Sequence, residues 1–242
     1  MSEVHGQRLF MAPHLDDCAV SFGGTLLAEK HQPVKTTAVT VFSRSNYTKD
    51  GLGDADAVTP IRQGEERKAM GSVGADTRFL DCLEAPLRGY TISDPLDYPR
   101  LVNLEFDVGL IAELVNLIEP LLEDAEEILL PLAVGDDAHV DHRVVRQASE
   151  QALHGRTGIR VGLYEDVPYI RAEMRDRLTS LDGLQLEETL IDLEAKMALL
   201  KCYESQPFND WEPMIRDVAG DPPVERRWIL NEVSLLPELD SI

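Results

Sequence analysis

The chain has 242 residues, a net charge of −21 and a pI near 4.5. Such an excess of carboxylates argues against a nucleic-acid binder, whose affinity comes from Lys and Arg neutralising phosphates, and similarly against an anionic membrane surface. With 43% hydrophobic residues the chain can bury a sizeable core, and its length suits one domain spanning residues 1–242.

Apolar runs of strand length alternate with segments of helical spacing. Residues 8–13 predict a first strand, ending at Pro13-His14-Leu15-Asp16-Asp17. Residues 19–30 have helical spacing in spite of Gly23-Gly24, and 36–42, rich in Val and Thr, predict a buried strand. Residues 43–59, rich in Gly, Asp, Ser and Asn, read as a long surface loop at a strand end. A helix over 61–73, stopped near Gly74, precedes a short strand over 77–81 and an irregular stretch over 82–104. A helix over 106–118 ends before Pro120, followed by a strand over 127–131 and a loop over 132–137. Then come a helix over 139–153, closed by Gly155, and a strand over 159–164. Helical segments over 171–179 and 193–203 flank strand-like alternation over 184–192, and no element is assigned beyond Tyr203. Repeated strand-helix-strand units predict an α/β fold with a mostly parallel sheet and helices on both faces.

The three cysteines, Cys18, Cys82 and Cys202, are widely spaced and include no CxxC pair. That excludes a cysteine-rich zinc site and disfavours a disulfide framework, which fits a reducing cytoplasm. The first eight residues are polar and the apolar stretch after them is interrupted by His14, Asp16 and Asp17, so no signal peptide is expected. No apolar run reaches the length of a membrane span.

Two short segments carry three of the six histidines: His14-Leu15-Asp16-Asp17, after the first strand, and His139-Val140-Asp141-His142, shortly after the strand at 127–131. In a doubly wound sheet these two strands are neighbours, and their following loops face each other across the crevice where the strand order reverses. The fold would then gather residues far apart in sequence into one site. Two histidines and one carboxylate form a common hydrolytic zinc set that keeps a position for water. A second carboxylate beside it can take the proton of that water. An Asp-Asp pair after a strand also serves as a turn and helix cap. The second histidine motif at a corresponding strand end favours the metal reading.

Pro13-His14-Leu15-Asp16-Asp17 followed by Gly23-Gly24 resembles the first signature of the PIG-L/LmbE-like deacetylases, and His139-x-Asp141-His142 their second. Arg62, Glu66, Ala69 and Gly74 are similar to the family's helix between its second and third strands, and Tyr164–Tyr169 and Lys201–Gln206 to later segments, so the likeness spans roughly residues 8–206. The resemblance implies a Rossmann-like fold and removal of an acyl group, usually acetyl, from an amino sugar such as N-acetylglucosamine or a related compound. It implies His14, Asp17 and His142 as ligands of one divalent metal ion, zinc first, with iron, cobalt or manganese acceptable to the same set. It implies Asp16 as general base, His139 at the carbonyl as oxyanion stabiliser or proton donor to the leaving amine, and Asp141 as the partner that orients a histidine. Leu15 replaces the family's commoner Pro, and Cys18 stands where many members have Glu; packing under the helix is the expected role of Cys18.

Candidates for gripping substrate are Arg44, with Ser43, Tyr47 and Lys49, on the loop after the second strand, Glu84 and Arg88 after the third, and Asp166 and Tyr169 after the fifth. His5, His31 and His154 are expected at the surface. The partner expected is a small N-acyl sugar derivative, with a homo-oligomer left open. No Asp-x-Asp pair follows the first strand, which disfavours a phosphatase; no GxGxxG disfavours a dinucleotide enzyme, and no Gly-x-Ser-x-Gly elbow disfavours a serine hydrolase. An amidase for a thiol conjugate or acylated natural product, and a non-catalytic binding protein of the same fold, remain as alternatives.

Overall fold

The computed structural model describes residues 6–90, 104–134, 138–167 and 169–231. Nine strands and seven α-helices are formed by these residues: β1 (Gln7–Ala12), α1 (Asp17–Glu29), β2 (Lys35–Thr40), β3 (Tyr47–Thr48), β4 (Gly51–Leu52), α2 (Ala55–Val73), β5 (Asp76–Phe79), α3 (Leu104–Ile118), β6 (Ala125–Pro131), α4 (Val140–Leu153), β7 (Arg160–Tyr164), α5 (Ala172–Thr179), β8 (Leu184–Leu190), α6 (Leu193–Leu200), α7 (Phe208–Ala219) and β9 (Val224–Leu230). The main sheet runs β5-β2-β1-β6-β7-β9-β8. Its first five strands are parallel, whereas β9 pairs antiparallel with β7 and with β8. This is the Rossmann-like arrangement expected, and β1 and β6 are the neighbours at which the chain reverses its direction of winding.

Period-2 alternation along the buried strands sends successive side chains to two separate cores. Leu9, Met11, Val39, Ile128, Leu130, Val161 and Leu163 face the side covered by α3 and α4. Phe10, Ala12, Ala38, Leu129 and Tyr164 face the side covered by α1, α2, α6 and α7. Phe10 stacks on Tyr164 with ring centroids 4.2 Å apart.

Helix α1 is buried from Asp17 to Leu26, and Gly23-Gly24 explains how. A Cβ on Gly23 would stand 2.9 Å from a methyl of Leu199 on α6, and one on Gly24 would stand 2.8 Å from three atoms of Ile191. The two glycines let α1 lie against α6 and against Ile191, just before it, at distances that side chains would forbid. The buried Glu225 of β9 accepts hydrogen bonds from Gly24 N (2.9 Å) and Thr25 N (2.7 Å) and is paired with the buried Lys196 of α6 at 2.7 Å.

Three regions depart from the expectations. The loop predicted over 43–59 contains the β3–β4 hairpin, and α2 begins at Ala55 because Asp54 caps it, accepting from Asp56 N, and the helix carries Pro60 inside it. Helix α7 and strand β9 lie beyond the last assigned element. The stretch at 82–104 and the loop at 132–137 fall partly outside the described residues; within the former, Ala85–Arg88 form a 3-10 turn. No helix among the described residues is long and apolar enough to cross a membrane.

Candidate active site

Chain reversal at the ends of β1 and β6 gathers the two histidine motifs at one edge of the sheet. After β1, the Asp16 amide bonds to the His14 carbonyl at 3.0 Å, which turns the chain into α1 and puts Asp16 at the helix cap and Asp17 in its first turn. After β6, His139 caps α4: its Nδ1 accepts the Asp141 amide at 3.0 Å. Asp141 and His142 therefore sit in the first turn of α4, facing the first motif.

Among the described residues, His14, Asp17 and His142 offer ligand atoms that all lie within 4.8 Å of one another. Asp17 Oδ2 is 3.4 Å from His14 Nδ1 and 3.4 Å from His142 Nε2, and it also accepts the His14 amide at 2.7 Å. Each ring is held on its far nitrogen by another carboxylate: His14 Nε2 by Asp141 Oδ2 at 2.9 Å, and His142 Nδ1 by Asp166 Oδ1 at 2.8 Å. His142 Nε2 is buried and has no hydrogen-bond partner among the described residues. An imidazole nitrogen left orphaned next to a carboxylate oxygen, with the opposite nitrogen fixed by a carboxylate, is the donor arrangement of a divalent cation site. His14, His139 and Asp141 also come within the same distance of one another. There Asp141 is already engaged by His14 Nε2, the Ala85 amide at 3.1 Å and Arg88 at 2.8 Å, so this second group is a hydrogen-bond network.

The electrostatics separate the neighbouring carboxylates. Burial works against the charge of Asp17, but His142 and His14 outweigh it and hold the carboxyl at about 2. Burial also opposes the charge of Asp141, yet the His14 bond and the Arg88 charge hold it well below the usual carboxylate range. Burial pushes Asp16 up to about 6, against the pull of Arg62 and with the push of Asp17. Burial, with His14 and His142 beside it, holds His139 well below the usual imidazole value, against Asp141, and thus uncharged near neutrality. Since His139 Nδ1 accepts the Asp141 amide, the neutral ring carries its hydrogen on Nε2 and is a donor there.

Asp16 is held from behind by a buried clamp. Arg62 Nη2 lies 3.2 Å from Asp16 Oδ2, and Arg62 Nη1 bonds Glu84 Oε1 at 2.7 Å and Ser45 Oγ at 2.6 Å. Ser45 closes the clamp by donating to Glu84 Oε2 at 2.6 Å. Below it, the buried Glu66 accepts from Tyr203 at 2.6 Å, and burial pushes its carboxyl up to about 8.

The cleft above these groups is lined by His14, Asp16, Asp17, Glu84, His139 and Asp141 on its polar side, and Tyr169 packs edge-on against His142 at 5.3 Å. Two of the expected substrate contacts, Arg44 and Arg88, lie away from the cleft. Arg44 does not line the cleft: its exposed side chain pairs with Asp56 at 2.9 Å. Arg88 does not line it either, because Asp141 (2.8 Å) and Asp107 (3.2 Å) hold its guanidinium in the interior, over the Phe42 ring. Glu84 and Tyr169 do line the cleft, with both Glu84 oxygens taken by Arg62 and Ser45. Cys18 is fully buried in the core with its thiol pushed far up by burial, as packing demands. His31 and His154 are exposed, and His5 lies outside the described residues. Sequence reasoning placed Asp166 near the cleft but missed its bond to His142. It also missed Gln206 and Trp211, which line the cleft from the unassigned C-terminal part.

The 2'-N-acetylparomamine deacetylase of Streptomyces fradiae is 35% identical over 170 residues, which is 68% of this chain and 58% of that protein. The chain therefore matches little more than half the length of this curated relative. In fold it is similar to the zinc-inhibited form of a teicoplanin deacetylase, with a TM-score of 0.72 at 19% identity over 92% of this chain and 97% of the other. It is similar also to the A40926 pseudoaglycone deacetylase, with a TM-score of 0.68 at 24% identity over 93% and 98% of the two chains. Residues 9–153, which hold both histidine motifs, match the model of the PIG-L family, described as GlcNAc-PI de-N-acetylase, and the chain belongs to that family.

Proposed function

We propose that the protein is a metal-dependent hydrolase that removes an acyl group, acetyl in the first place, from the nitrogen of an amino sugar. The observation that carries this reading is the buried His142 Nε2, without a hydrogen-bond partner among the described residues, beside Asp17 Oδ2 and next to the helix cap at the buried Asp16. The three relatives named above are deacetylases, which supports the same reaction.

His14 Nδ1, Asp17 Oδ2 and His142 Nε2 would hold the cation, for which zinc is the first choice. When bound, such a cation polarises a carbonyl oxygen and draws the acidity of water toward neutrality. The remaining chemistry belongs to side chains of this chain. Asp16 accepts a proton from the attacking water as the new C–O bond forms, and Arg62 keeps that carboxylate aimed and largely ionised at neutral pH. His139 donates its Nε2 hydrogen to the carbonyl oxygen as that oxygen gains negative charge, a preorganised donor in a site shielded from water. Its uncharged state favours this role over that of an imidazolium acid. The proton on Asp16 then passes to the leaving nitrogen as the C–N bond breaks, giving carboxylate and free amine. Asp141 and Asp166 fix the two histidine rings, and Arg88 and the Ala85 amide fix Asp141.

The test is acetate release from N-acetylated glucosamine derivatives by protein purified without chelator. Release should stop after treatment with EDTA and return on adding zinc. Undiminished release after exhaustive chelation would overturn the reading.

A further inference from the structure

The clamp on Asp16 has a buried neighbour that the proposed reaction does not use. Glu66 follows Arg62 by one turn on the buried face of α2, and the two are shut off from solvent, at 0% and 3% exposure. Glu66 Oε2 accepts from the Tyr203 hydroxyl at 2.6 Å. Glu66 Oε1 and Arg62 Nε are both buried, and neither has a hydrogen-bond partner among the described residues. Arg62 pairs instead with Asp16 at 3.2 Å and with Glu84 at 2.7 Å. An unspent acceptor and an unspent donor thus belong to residues one helical turn apart.

The surroundings of Glu66 decide its charge. Besides Arg62 on its own helix, it faces Asp16, Asp17 and the Cys18 thiol from α1, and Tyr203 from the chain after α6. Two of these groups are carboxylates, and burial keeps the hydrogen on the thiol. A charged Glu66 would have the single hydrogen bond of Tyr203. A carboxylate so placed is costly, and its acid form much less so. Burial, joined by the charges of Asp16 and Asp17, pushes the carboxyl up to about 8 against Tyr203 and Arg62. Burial is the largest of these effects and does not depend on what His14, Asp17 and His142 hold. Glu66 is therefore uncharged near neutrality and charged in mild alkali. Once charged it needs a second donor, and the Nε–H of Arg62 is unspent one turn away. Of the guanidinium's bonds to side chains, the one to Asp16 at 3.2 Å is longer than those to Glu84 at 2.7 Å and Ser45 at 2.6 Å, and so is the first to be given up.

We propose that Glu66 is a positioning residue for Asp16: uncharged and anchored by Tyr203, it leaves Arg62 to the base, and on ionising it draws Arg62 away and switches hydrolysis off in mild alkali. Glu66 touches neither the substrate nor the reacting atoms and acts through Arg62. The inference rests on the reading of Asp16 as the base and adds a pH-sensitive device behind it.

The switch can be read without turnover. Carbon NMR of isotope-labelled glutamate carboxyls in the zinc-loaded protein, with Glu66 assigned by its loss in Glu66→Gln, should show an acid at neutral pH that ionises in mild alkali. The nitrogen signal of Arg62 Nε, assigned by its loss in Arg62→Lys, should move with the same midpoint in the wild type and stay fixed over that range in Glu66→Gln. Acetate release by the wild type should fall across the same range. Glu66→Gln keeps an uncharged group in this place, so it should retain most of the neutral rate and lose that fall. Tyr203→Phe removes the hydroxyl that favours the charged form, so its fall should move to higher pH. A Glu66 already charged at neutral pH, an Arg62 signal that ignores the titration, or an alkaline fall that is the same in Glu66→Gln would overturn the proposal and leave the deacetylase reading intact. Coupled titration of the two signals, with no acetate released from any acetylated sugar, would support the movement of Arg62 and remove the assigned reaction.

Discussion

Asp166 shows how much of the site depends on residues outside the two histidine motifs. One of its oxygens holds His142 Nδ1, and the other accepts the amide of Ala133, a non-glycine residue at φ 46°. A left-handed conformation is uncommon for alanine and needs a local restraint. Asp166 thus fixes both a histidine ring and the loop that leads to its helix. Replacing such a carboxylate partner typically lowers metal affinity 10–100-fold. Asp166→Asn should therefore raise the apparent Kd for zinc by about that factor in competition with a chromophoric chelator, and an unchanged Kd would show that the His142 ring needs no such support. His14, Asp16 and Asp17 were legible in the sequence because they follow directly on β1, and His139, Asp141 and His142 because they open the helix after β6, the strand that the winding rule puts beside β1. The partnership of Asp166 was not, because it requires the end of β7 to lie beside the start of α4. Nor was the placement of Arg88, an arginine in a polar loop whose burial comes from Asp107 and Asp141 on two other helices.

At the level of elements, the seat of α1 decides where Asp16 and Asp17 point. Gly24 lies against Ile191 with no room for a methyl group, and the contact is to the branched Cβ end of that side chain, which cannot swing away. Gly24→Ala gains about 1 kcal/mol in helix propensity but overpacks the contact of α1 with Ile191, between β8 and α6, which typically costs ~1–3 kcal/mol. A net loss of stability in urea unfolding is the expected outcome; a stabilised variant would mean that α1 can shift freely on Ile191. The pair Gly23-Gly24 was read as an obstacle to a helix, whereas in the structure it is the condition for packing one. Strand β9 escaped sequence reading for a related reason. Its Glu225, Arg226 and Arg227 break the apolar pattern, yet Arg226 and Arg227 pair across the ladder with Glu188 and Glu187, both at 2.9 Å, and Glu225 caps no solvent face but reaches into α1. Helix α7 has only Phe208, Ile215 and Ala219 buried, with Pro213 inside it, too sparse an apolar stripe to be recognised.

Over the whole molecule, the sheet order brings together residues that the chain keeps far apart. His14 and Asp141 are 127 positions apart in sequence and hydrogen-bonded in the structure. A cation held by His14, Asp17 and His142 would tie the β1–α1 turn to the start of α4 across the line where winding reverses. The charges that matter here are buried and linked in hydrogen-bonded networks. These three side chains, rather than the second group containing His139, are the proposed metal ligands. Elemental analysis of the wild type, His142→Ala and Asp16→Asn, each purified without chelator and given excess zinc, distinguishes the two groups. About one equivalent of metal per chain is expected in the wild type and in Asp16→Asn, the latter slowed by about 10²–10⁴ in acetate release, with loss of the metal in His142→Ala. A wild type without metal, or a His142→Ala variant with its full complement, would refute the assignment.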